Sequence, residues 1–188
     1  MKVLTKNELK LRHSEFLNKI RKGALFVHPT DTIYGISCDA TNEESVKKIR
    51  EVKGRMTNPF SIWVPSIEWI RKNCQVNKNA EEWLEKLPGQ YTLILKLKNK
   101  DVVAKEVIPG IDAIGVRLPD HWFSAIVRDL NKPIITTSAN KAGEPFMTSL
   151  ENLDEEIKGK VQFIIYEGEK KSRPSKIIDL TKGTIKER

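Results

Sequence analysis

Short apolar runs alternate irregularly with amphipathic segments along this chain, and no other feature limits its fold as much. Residues 24–28, 60–64, 91–97, 113–117, 133–137, 161–166 and 176–180 read as strands, bounded by Pro, Gly or polar residues. Between them the spacing turns helical. Thr5 and Glu8 form a capping box that opens a helix with Leu9, Phe16, Leu17 and Ile20 on one stripe, ended by Gly23. Thr41 and Glu44 repeat the box before a helix that turns Val46, Ile49 and Val52 inward. Residues 67–73 read as a short helix, Asn79 as the cap of another through Leu87, and Pro119-Asp120 as the start of one carrying Phe123, Ile126, Val127 and Leu130. Such a pattern predicts an α/β (α+β) fold, an open twisted mixed sheet flanked by helices. No repeat or linker divides the chain, so residues 1–188 are expected to form a single domain.

Bulk composition narrows the setting. No apolar run approaches the roughly 20 residues of a membrane helix, and the N-terminus is a charged amphipathic segment rather than a signal peptide. A cytoplasmic location without membrane contact is the expectation. Cys38 and Cys74 stand far apart with no CxxC, which predicts two buried free thiols. The net charge of +8 is concentrated at the ends: residues 1–60 carry 12 Lys/Arg against 7 Asp/Glu, and residues 158–188 carry 9 against 4. Brought together, the ends would make a positive surface able to attract nucleotide, phosphate or RNA. Most of the lysines read simply as solvated surface.

Two polar segments stand out for chemistry. Pro29-Thr30-Asp31-Thr32-Ile33-Tyr34-Gly35 follows an apolar run, and Lys53-Gly54-Arg55 arrives one helix later. A hydroxyl-rich turn with two cations suits an anionic ligand carrying hydroxyl groups, although a basic helix C-terminus offsetting its dipole would look the same. The second segment, Thr136-Thr137-Ser138-Ala139-Asn140, also leaves a strand directly, and alternation puts Thr136, Ser138 and Asn140 on one side. Arg117 ends a strand in Gly115-Val116-Arg117-Leu118-Pro119, where its planar fork can reach over the sheet edge. Ser172-Arg173-Pro174-Ser175-Lys176 precedes the last apolar run. Neither a GxxxxGK[ST] loop nor a GxGxxG is present, so any phosphate must be held by side chains such as Lys53, Arg55, Arg117, Arg173 and Lys176. No GxSxG supports a serine nucleophile, and His13, His28 and His121 have no ligand spacing.

Taken in order, PTDTIYGISCDA, Lys53-Gly54-Arg55, Pro88-Gly89-Gln90-Tyr91-Thr92, Gly115-Val116-Arg117-Leu118-Pro119, Ser138-Ala139-Asn140 and Arg173-Pro174-Ser175-Lys176-Ile177-Ile178-Asp179 resemble the motifs of the YrdC family of threonylcarbamoyl-AMP synthases. The resemblance spans residues 24 to about 180. It implies a twisted sheet around a positively charged cavity. It also implies a reaction in which L-threonine, bicarbonate and ATP give L-threonylcarbamoyl-AMP and pyrophosphate for the threonylcarbamoyl modification of tRNA. By family position Lys53, Arg55, Ser138 and Asn140 become the catalytic nucleotide and phosphate contacts, with Asn58 a further ATP contact. Thr32, Arg117, Thr136 and Ser175 become the threonine contacts, Arg117 pairing the carboxylate. Magnesium is expected to arrive with ATP, and no protein-only metal site is expected.

Three positions depart from the family pattern. Trp63 stands where many members carry His, Gln90 replaces the second Pro of its turn, and Phe146 takes a position that is commonly Ser. Arg188 aligns loosely with a late nucleotide-contacting Arg. Two other readings stay open on sequence alone: an RNA-binding module of the same fold without synthase activity, and a carbamoyltransferase acting through carbamoyl-adenylate. Asp31, the carboxylate nearest the first segment, reads as a turn-stabilising residue.

Overall fold

A computed structural model describes residues 1–187 of the chain; Arg188 lies outside the described residues. The strands are β1 (Lys2–Leu4), β2 (Phe26–His28), β3 (Gly35–Ser37), β4 (Ser61–Trp63), β5 (Tyr91–Lys96), β6 (Ala113–Arg117), β7 (Ile134–Ser138), β8 (Phe163–Ile165), β9 (Lys176–Asp179) and β10 (Thr184–Lys186). The helices are α1 (Lys6–Leu11), α2 (His13–Arg21), α3 (Glu43–Lys53), α4 (Ile67–Asn73), α5 (Lys78–Leu84), α6 (Ser124–Leu130) and α7 (Glu155–Lys160). The strands join in the order β1-β8-β2-β3-β7-β4-β6-β5-β9-β10, with parallel and antiparallel pairs mixed as expected. The pairing of β1 with β8 brings the two basic ends of the chain together. No helix among the described residues is long and apolar enough to cross a membrane.

All seven expected strands are present. Four short elements were not legible: β1, β3, β10 and α7. Each strand is three residues long, and α7 buries only Ile157, so none carries a period to detect. Some boundaries also move. The Thr5–Glu8 capping box is in place, but the chain breaks at Arg12 (φ −108°, ψ 21°) into α1 and α2 instead of running on as one helix. Asn42, not Thr41, caps α3, accepting from Ser45 N–H at 3.0 Å. The Thr41 N–H and hydroxyl are taken by Asp39 Oδ1 at 2.8 and 2.6 Å. Asn77, not Asn79, caps α5. Residues 119–123 form a turn, with Ser124 Oγ donating to Pro119 O, so α6 starts later than Pro119-Asp120.

Strand alternation divides the side chains between two layers. Val27, Ile36, Ile62, Leu93, Leu95, Val116, Ile135, Ile164 and Ile178 share one core with Ile49 of α3, Ile70 of α4, Leu84 of α5 and Ile157 of α7. Cys38 and Cys74 are buried in it as free thiols. The residues of opposite parity behave differently along the sheet. Phe26, Phe163, Ile165, Trp63 and Ile134 are apolar and pack with Leu9, Phe16, Ile20, Ile126 and Leu130 of α1, α2 and α6. Farther across, over β7, β4, β6, β5 and β9, the same parity carries Thr136, Ser61, Gly115, Thr92 and Asp179, and these line a cavity.

Phe123 is the hub of the second core, fully buried with ring centroids 6.2 Å from Phe16, 5.6 Å from Trp63 and 4.7 Å from His28. Phe123→Ala should therefore lower unfolding free energy by about 3–5 kcal/mol, read as a reduced urea midpoint at unchanged m. A loss under about 1 kcal/mol would show that the cluster can collapse into the gap.

Candidate functional site

The cavity has a volume of about 570 Å³ and is floored by the polar half of the sheet. Gly115 leaves room in that floor for its neighbours. A Cβ there would lie 2.5 Å from Ser61 Oγ and 3.0 Å from Thr92 Cγ2. Its cationic lining side chains are Arg55, Lys96, Arg117 and Lys182, against Asp112 and Asp179. A smaller cleft of about 370 Å³, lined by Lys53, Asn58 and Asn140, shares Arg55 and Ser138 with the cavity. The residues singled out from the sequence thus fall into two groups. Lys53, Asn58 and Asn140 face the cleft, Thr32, Arg117, Thr136 and Ser175 face the cavity, and Arg55 and Ser138 stand between.

The cleft is built on the end of α3. Gly54 adopts the left-handed conformation (φ +59°) that ends the helix and turns the chain back, so Lys53 and Arg55 approach from the same segment. Lys53 is 2% exposed. Its Nζ donates to Ser138 O at 2.6 Å and Asn140 Oδ1 at 2.8 Å. Asn140 Oδ1 also accepts from Ser138 Oγ at 2.5 Å, and its Nδ2 donates to Glu144 O. Lys53 is therefore more than a solvated cation at a helix end. Burial, with Arg55 nearby as a second cause, pushes its pKa down to about 7.

Arg50 organises the loop that follows, and sequence reasoning missed it. Its buried guanidinium gathers four carbonyls: Nε donates to Glu106 O at 2.6 Å, and Nη1 donates to Arg55 O, Met56 O and Asn58 O at 2.7, 3.1 and 3.1 Å. The Arg50 and Arg55 guanidinium carbons lie 4.6 and 5.1 Å from the Phe60 ring centroid. Arg55 Nη2 also donates to Pro59 O at 2.6 Å. The available signal was helical spacing: Arg50 lies four residues after Val46, which puts a cation on the apolar stripe.

In the cavity, Thr30 shapes the turn by accepting from Thr32 N–H at 3.0 Å and donating its hydroxyl to Ile33 O at 2.8 Å. Arg117 Nη2 lies 2.7 Å from Asp31 Oδ1 and 3.4 Å from Thr32 Oγ1. Asp31 is thus the ion-pair partner of Arg117, which goes beyond the turn role read from sequence. Ser175 and Thr92 hydroxyls are 2.7 Å apart, both buried. Trp63 packs against His28 (centroids 5.4 Å apart) and Phe123 rather than facing the ligand space. Phe146 lines the cavity. Gln90 Nε2 donates to Asp31 O at 3.1 Å, tying its turn to the Thr30–Thr32 segment.

Comparison with known proteins gives the family. The Sua5/YciO/YrdC family model, described as telomere recombination, matches residues 18–187. A Methanocaldococcus jannaschii protein, provisionally named a threonylcarbamoyl-AMP synthase, is 42% identical over 178 residues, covering 91% of this chain and 82% of that protein. The Pyrococcus abyssi threonylcarbamoyl-AMP synthase is 36% identical over 167 residues, 86% of this chain but 48% of that protein. The crystal structure of P. abyssi Sua5 complexed with L-threonine superposes with a TM-score of 0.83 at 33% identity, over 96% of this chain and 54% of that one. The chain therefore spans about half the length of the P. abyssi proteins it matches. With a family match across nearly all of its length, this chain belongs to the Sua5/YciO/YrdC family.

Proposed function

We propose that this chain is an L-threonylcarbamoyladenylate synthase, a transferase acting in tRNA modification in the cytoplasm. The observation that carries the reading is the joining of two subsites. A cleft lined by Lys53 and Arg55 shares Arg55 and Ser138 with a cavity that has Arg117 and hydroxyls on its walls. The relatives' names and the threonine held by P. abyssi Sua5 support the same assignment.

In this reading Arg117, Thr32, Thr136 and Ser175 hold L-threonine. Its neutral amine condenses with bicarbonate, forming the N–C bond as one bicarbonate oxygen leaves in water, and an oxygen of the resulting carbamate attacks the α-phosphorus of ATP in line, expelling pyrophosphate. The protein forms no covalent bond. Lys53, Arg55, Asn58, Ser138 and Asn140 align the phosphates and offset their charge, which is the main demand of phosphoryl-group chemistry. Among the described residues no cluster of three or more His, Cys, Asp or Glu could hold a metal. Magnesium bound to the ATP phosphates would supply further positive charge to offset theirs, beside Lys53 and Arg55.

Pyrophosphate release from ATP that requires both threonine and bicarbonate, with the adenylate detected by mass, is the expected result. ATP binding without such release would favour carbamoyl chemistry. RNA binding that weakens steeply with salt, with no ATP binding, would favour an RNA-binding module. Arg55→Ala should slow turnover about 10²-fold or more, since one preorganised phosphate donor is worth roughly 3–4 kcal/mol; near-normal rates would remove Arg55 from the site. Arg117→Ala should raise KM for threonine, and a rise confined to ATP would exchange the two subsites.

Lys53 supplies a pH signature. Its folded pKa of about 7 lies below the unfolded value of 10.5. Between these values the unfolded chain binds more protons, so stability of the free protein from this group rises with pH across that window. A nearby phosphate favours the ammonium and raises the pKa again. ATP binding at about pH 8 should thus take up a proton, measured by calorimetry in buffers of different ionisation heat. Lys53→Met should abolish the uptake, and an unchanged uptake would assign it elsewhere.

A further inference from the structure

Asp31 carries a charge that the reaction scheme above does not use. Its side chain is only 4% exposed and that of Arg117 8%. One carboxylate oxygen pairs with Arg117 Nη2 at 2.7 Å, while Oδ2 is buried with no hydrogen-bond partner among the described residues. The turn that holds it is fixed by the Thr30 hydroxyl and by the Gln90 bond to the Asp31 carbonyl. The guanidinium that would receive a ligand carboxylate is therefore neutralised before any ligand arrives.

Charge balance then separates two kinds of ligand. A plain carboxylate docking on Arg117 brings a second negative charge to one cation, in a wall too dry to screen it. An α-amino acid brings the same carboxylate with an ammonium on the adjacent carbon, and so adds no net charge to the Arg117–Asp31 pair. We propose that Asp31 makes this site selective for zwitterionic α-amino acids over carboxylic acids that lack the amine. The inference rests on the synthase reading for where the ligand carboxylate sits. Once the amine has become a carbamate the compensating charge is gone, so the same carboxylate favours substrate over product.

The neighbours of Asp31 are defined. Burial raises the Asp31 carboxyl above its usual range, and Arg117 on β6, with a smaller influence from His121 before α6, pulls it back. Behind His121 stands Glu167, 3.1 Å from Nε2 and paired with Lys170 at 2.7 Å. Burial works against the Glu167 charge, but bonds from His121, Lys170 and Trp122 hold its pKa at about 2. His28, buried at the end of β2, is kept neutral by desolvation, its pKa near 3.

The test compares L-threonine with (R)-β-hydroxybutyrate, the same skeleton without the amine, by calorimetry on wild type and Asp31→Asn. The carboxamide keeps an oxygen for Arg117 and removes the charge. Wild type should prefer threonine, and the variant should bind the hydroxy acid at least about tenfold more tightly, since like charges set together cost several kcal/mol. Parallel weakening of both ligands would make Asp31 only a strut for Arg117 and overturn the proposal, as would an unchanged ratio. Wild type that turns over threonine yet shows no preference overturns the proposal alone; wild type that binds neither ligand overturns the synthase reading with it. If Asp31→Asn does not fold, wild type decides.

Discussion

Everything in this molecule depends on a sheet face that helices roof over only part of its width. Residues of one parity in β2, β8, β4 and β7 are apolar and draw α1, α2 and α6 onto them. The same parity farther along carries hydroxyls, Gly115, Arg117 and Asp179. A helix laid there would bury polar groups without partners, at a cost that apolar contact could not offset. The sheet therefore keeps one open region, and that opening is the cavity. Trp63 and Ser61, two residues apart on β4, mark the boundary: one is in the aromatic core and the other lines the cavity.

Buried cations are the second organising element. Arg50, Lys53 and Arg117 are each at most 6% exposed, and each is held by oxygen acceptors from other segments. Arg50 donates to four carbonyls through Nε and Nη1 and so shapes the loop that carries Arg55 and Asn58. Lys53 bonds the end of β7 and Asn140, and Arg117 bonds the Asp31 turn. A desolvated ammonium or guanidinium is unstable alone, yet it gains most from an arriving anion. Preorganised donors of this kind need little rearrangement when charge develops on a phosphate.

Legibility followed periodicity. Residues 91–97 and 113–117 showed themselves because Leu93, Leu95, Ile114 and Val116 alternate with residues that face away from the core, and alternation is a local property. The three-residue strands β1, β3 and β10 exist through pairing with β8, β7 and β9, and pairing leaves no mark in three letters. Caps slipped for a related reason. Thr41 could cap α3 by its chemistry, but Asp39 engages both its N–H and its hydroxyl, and an adjacent Asn42 does the work.

By itself, the sequence determined the mixed α/β class, the buried thiols, the positions of most strands and the short polar motifs at strand ends, because side-chain period and turn chemistry act over a few residues. Tertiary structure alone decided which of those polar residues meet. Lys53 reaches a carbonyl 85 positions away, and Arg117 finds its counter-ion 86 positions away. Burial depends on what the whole sheet packs against those groups. For the same reason the lowered pKa of Lys53, the loop-shaping role of Arg50 and the neutralised state of Arg117 belong to the folded protein, not to any segment of its chain.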